Sequence, residues 1–67
     1  MYYGKLYGQE ISANTLTGLK AKASKIANKF NYVIDRMEVR TDQSSIVIFR
    51  RFNKVYPNNT IEYGDWH

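Results

Sequence analysis

The chain has 67 residues and no cysteine, with ten basic and six acidic side chains giving a net charge of +4. This length predicts one small domain over residues 1–67. The lack of cysteine excludes a disulfide framework and a thiolate metal site.

A domain this small buries only roughly 60% of the surface its unfolded chain exposes. Support then falls to the ten aromatics (six Tyr, three Phe, one Trp) or to self-association. The longest aliphatic or aromatic run, Ile46–Phe49, is far too short for a membrane span. The first residues lack the basic-then-apolar order of a signal peptide. The expectation is a cytoplasmic protein, and small size without cysteine suggests a phage-borne or accessory bacterial product.

In chain order, residues 2–8 alternate weakly and carry aromatics, which predicts a short strand that Gly4 and Gly8 weaken. Ser12-Ala13-Asn14-Thr15 offers N-cap oxygens ahead of an apolar-periodic run. Leu16, Leu19, Ala23, Ile26, Ala27 and Phe30 recur at helical spacing, predicting an amphipathic helix that ends near Asn31. Residues 32–40 alternate as a strand, and Asp42-Gln43-Ser44-Ser45 supplies turn chemistry. Ile46–Phe52 is the strongest strand signal, Tyr56-Pro57-Asn58-Asn59 reads as a turn, and Thr60–Trp66 as a last strand. The fold class expected is α+β, a two-layer β-α-β-β-β arrangement with the helix packed on a largely antiparallel sheet.

Strand parity then sorts side chains by face. With a turn centred on Gln43-Ser44, Thr41 opposes Ile46, and Met37, Val39, Ile46 and Ile48 share the helix side. Arg50 points the same way, reaching water past its own stem. Pairing Phe52 with Ile61 sets Phe49 opposite Gly64 and Val47 opposite Trp66. The uncovered face would carry Arg36, Arg40, Arg51, Val47, Phe49 and Trp66. Exposed rings beside guanidinium groups are how open sheets hold unpaired bases. The same residues also anchor protein interfaces, and a plain structural reading has Trp66 merely covering Phe49 and Gly64.

Lys20, Lys22, Lys25 and Lys29 lie in a segment with no acid between Glu10 and Asp35. Lys22, Lys25 and Lys29 form a candidate phosphate-contacting stripe on the far side of the helix, or a solvated face. The only histidine is His67, no nucleophilic triad or phosphate loop is evident, and Asp35 and Glu38 differ in strand parity. A non-enzyme without metal or cofactor is expected. The leading expectation is a nucleic-acid-binding accessory protein, single strands slightly favoured, using Arg36, Arg40, Phe49, Arg51 and Trp66. Lys22, Lys25 and Lys29 form its secondary electrostatic site. The alternative is a protein-interaction module or inhibitor, a homodimer included, using the same face. Membrane insertion is not expected, and surface association through the helix is a weaker third reading.

Overall fold

The computed structural model describes residues 1–30 and 32–67. Its elements are β1 (Tyr2–Leu6), β2 (Gln9–Ala13), α1 (Leu16–Ala27), β3 (Ile34–Arg40), β4 (Ser45–Val55) and β5 (Ile61–Tyr63). The strands form one antiparallel sheet in the order β2-β1-β3-β4-β5, consistent with the α+β class.

β2 is an addition to the expected order. Tyr7 and Gly8 both take positive φ, 49° and 76°, and close a two-residue hairpin loop between the Leu6–Gln9 pair. Such loops need left-handed backbone at both central positions, which Gly8 gives freely and Tyr7 at a cost. Ser12 and Ala13 therefore belong to a strand, and Thr15 alone caps the helix, its hydroxyl accepting from the Gly18 amide at 3.1 Å. The chain crosses through α1 from β2 to β3, and β1 lies between these two strands.

α1 closes at Ala27 with Asn28 as C-cap, earlier than the periodicity suggests, and Asn31 lies outside the described residues. Leu19, Ala23 and Ala27 form the buried helix face. They join Leu6, Met37, Val39, Ile48 and Trp66 in one core. Gly4 makes the close approach possible: a Cβ there would lie 3.0 Å from the Met37 sulfur and 3.3 Å from Leu19 Cδ1.

The β3–β4 turn centres on Asp42-Gln43, one residue earlier than expected. The Thr41 hydroxyl accepts from the amides of both Gln43 and Ser44, at 3.2 and 3.1 Å, and so captures the turn early. Pairing moves by two residues: Met37 opposes Ile48 and Arg36 opposes Phe49. An even shift leaves every side chain on its expected face. β3 accordingly buries Asp35, Met37 and Val39 while Arg36, Glu38 and Arg40 remain exposed.

The last hairpin departs further. Phe52 pairs with Tyr63, and a bulge between Phe52 and Lys54 shifts the register to Lys54–Glu62 and Val55–Ile61. Past β5, Gly64 donates to the Arg51 carbonyl, and Phe49 and His67 exchange two backbone hydrogen bonds, each 2.8 Å. Three residues of the last segment thus span two of β4, a second irregularity. Phe49 meets His67 instead of Gly64, an odd displacement that turns Trp66 to the helix side. β4 carries this hairpin beyond the helix, and the molecule measures 43 × 19 × 17 Å.

Candidate functional site

The side of the sheet away from the buried core is built from alternate residues of four strands. Cross-strand neighbours there include Ser12–Tyr3–Arg40–Ser45, Glu10–Lys5–Glu38–Val47 and Arg36–Phe49. Arg51 follows Phe49 by two residues and shares its side. All of these side chains are exposed. Phe49 is 38% exposed, Val47 41% and Tyr3 41%.

Two aromatic–guanidinium stations result. At one, the Arg40 guanidinium lies 5.9 Å from the centroid of the Tyr3 ring. At the other, Phe49 stands opposite Arg36 and beside Arg51. Four residues of β3 separate them, about 13 Å at the usual strand rise. Between the stations lie Lys5, Glu38 and Val47. Arg36 donates to Glu38 at 3.3 Å, an exposed pair of little energetic weight. Four cations (Lys5, Arg36, Arg40, Arg51) stand against two carboxylates (Glu10, Glu38), so the face is net positive but mixed.

Trp66 does not belong to this face, contrary to expectation. It is 3% exposed, and its indole nitrogen donates to the Ser24 hydroxyl at 3.1 Å on α1. The second register irregularity turned it inward. Tyr3 provides a second ring to the open face instead. Sequence reasoning missed it because β1 alternation was read without its partner strands.

Arg50 is the second correction. It is 3% exposed and does not reach water. Its Nε and one terminal nitrogen donate to Asp35 Oδ2 at 3.1 and 2.8 Å. Its guanidinium lies 3.8 Å from the Tyr63 ring centroid and 5.4 Å from that of Trp66. The Tyr7 hydroxyl donates to the other Asp35 oxygen. Burial and that carboxylate push the Tyr7 hydroxyl well above the ordinary tyrosine range. Asp35 and Arg50 form a buried ion pair with aromatic walls, both side chains out of solvent.

The lysines of α1 do not form one free stripe. Lys22 Nζ donates to the Ser12 carbonyl at 2.6 Å, covering part of the outer edge of β2. Lys25 lies in the last helical turn, and Lys29 lies beyond the C-cap, where its amide donates to the Ile26 carbonyl. Lys25 and Lys29 remain exposed and Lys20 is half-buried.

Among the described residues, no three His, Asp or Glu side chains converge as metal ligands. No helix among them is long and apolar enough to cross a membrane. No family model matches the chain, and no curated protein or solved structure shows a significant match to it.

Proposed function

We propose that the protein is a non-enzymatic module that binds single-stranded nucleic acid across its open sheet face. On this reading helix and sheet are two layers, and the helix leaves that face free. The observation that carries the proposal is the pair of stations, Tyr3 with Arg40 and Phe49 with Arg36 and Arg51. Each places a stacking ring beside a cation. Base–ring stacking tolerates any sequence, and guanidinium groups meet phosphate bidentately. Glu38 and Glu10 lower the charge of the face, which favours stacking over electrostatics as the main source of affinity. Lys25 and Lys29 form a weaker electrostatic site on the helix. A protein partner on the same face is the competing use, favoured by the exposure of Val47 beside Phe49.

The test is fluorescence anisotropy of labelled single-stranded DNA, duplex DNA and RNA at about 50 and 200 mM salt. Micromolar binding to single strands is expected, with a shallow salt slope and loss of affinity in Tyr3→Ala and Phe49→Ala. Absence of binding at the lower salt overturns the reading and leaves the face to a protein partner. A preference for duplex that Lys25→Glu abolishes, and Arg40→Glu does not, moves the site to the helix.

A further inference from the structure

Among the described residues, α1 packs on β1 and β2, and no helix lies over the inner side of the β4–β5 hairpin and the start of β3. The bulge between Phe52 and Lys54 has a side-chain consequence there. Phe52 and Val55 lie three apart in sequence, yet the extra residue puts both on one face with Ile61, the partner of Val55. Tyr32, Val33, Phe52, Val55 and Ile61 line one shallow hollow. Phe30 extends it, stacked on Tyr32 at a centroid distance of 5.9 Å. The polar side chains of the hairpin turn away: Lys54 lies over the Tyr56 ring, and Tyr56 donates to Glu62.

These apolar side chains are far from covered: Val33 is 60% exposed, Tyr32 and Val55 each 53%, Phe30 41% and Phe52 37%. An aromatic side chain carries about 150–250 Å² and a valine less, so these five still present roughly 400–500 Å². That approaches the largest apolar patch typical of a monomer.

We propose that this hollow is the interface of a homodimer, in which the hairpins of two copies cover one another across a twofold axis. Three features select a second copy. The hollow bears no formal charge in a chain with a net charge of +4, so a matching uncharged surface seals it without stripping water from an ion. Two such patches together withdraw about 800–1,000 Å², close to the lower bound of a specific interface, before Ile61 or any rim residue is added. A domain of this length also gains from association the burial its own core cannot provide. The twofold arrangement is closed, so it predicts a dimer and no higher assembly. The open faces of both copies stay outward, and the proposal stands or falls independently of what they bind.

Sedimentation velocity and equilibrium across the micromolar range test it. The wild-type chain should sediment as a dimer. Val55→Glu enters the interface twice and should raise the dissociation constant by at least ~100-fold, with far-UV circular dichroism unchanged. Val33→Glu, on the opposite wall of the hollow, should do the same and stands in if the first variant misfolds. Val47→Glu, on the open face, should remain dimeric. A wild-type monomer at every concentration overturns the proposal. So does a dimer that Val47→Glu dissolves and both hollow variants spare. Flotation of a monomer with phosphatidylcholine vesicles would assign the hollow to lipid and likewise overturn it.

Discussion

Replacing Asp35 by Leu strips the buried Arg50 guanidinium of its only counter-charge among the described residues. Both side chains are essentially out of water, at 0% and 3% exposed, so solvent screening does not soften the loss. Removing one member of a buried pair typically costs about 3–5 kcal/mol, because the other is left charged and unpaired. A 67-residue domain has about 3–10 kcal/mol in total, at roughly 0.05–0.15 kcal/mol per residue. Asp35→Leu should therefore take most of the stability away. The Asp35→Leu/Arg50→Met double variant removes both charges and should recover to within about 1–3 kcal/mol of wild type, the remainder being the Tyr7 hydroxyl left without its acceptor. Urea denaturation followed by Trp66 fluorescence is the assay, since the indole is buried in the core beside Arg50. A loss under about 1 kcal/mol in Asp35→Leu refutes the reasoning, because it falls below the range for a broken buried pair. A double variant no more stable than the sum of its singles refutes it equally, since the two charges would then act independently.

Trp66→Ala should cost about 3–5 kcal/mol of stability as a core truncation. Phe49→Ala should instead weaken single-strand binding by about 1–3 kcal/mol with little change in folding; urea midpoints and anisotropy titrations on both variants separate the two roles. The raised Tyr7 hydroxyl stabilises the fold fully below the unfolded tyrosine value of about 10, and this contribution fades as pH rises above it. Urea midpoints at neutral and strongly alkaline pH should show wild type and Tyr7→Phe converging as the base is added. Gly4→Ala forces a Cβ to 3.0 Å from the Met37 sulfur and should cost about 1–3 kcal/mol. Gly8→Ala meets nothing within 4 Å, so only its positive φ is penalised, at about 1–2 kcal/mol; thermal melts rank the two.

Parity decided what the sequence could reveal. β3 and β4 announce their faces by alternation, and misplacing the turn by one residue displaced the pairing by two, so the faces of Arg36, Arg40, Phe49 and Arg51 were legible. Thr41 shifted the turn, but could not flip a face. The last hairpin carries two irregularities, and nothing in Tyr63-Gly64-Asp65-Trp66 announces that three residues will span two. An aromatic near a strand end reads equally well inward or outward, so Trp66 was misplaced. β2 was hidden because Ser12 and Ala13 precede a helix and resemble capping residues. The Tyr7-Gly8 pair was the available signal, since glycine at the second position suits a tight hairpin loop. Arg50 could not be read as buried, because its partner Asp35 lies fifteen residues away and on another strand.

The placement of β1 in the sheet has a kinetic meaning. β1–β2 and β3–β4 are each joined by short turns, so both hairpins form from neighbours in sequence, on a timescale of about 1–10 μs. Among the described residues the β1–β3 seam joins them, pairing Tyr3 with Arg40 and Lys5 with Glu38 across the intervening helix. Closing that seam requires α1 to fold over, and loop entropy is spent before its contacts return anything. The seam is therefore expected to form in the transition state. Substitutions at Gly4 or Val39, which pair across it, should slow refolding in stopped-flow experiments. Changes at Lys54 or Glu62 on the outlying hairpin should leave the refolding rate alone and speed only unfolding.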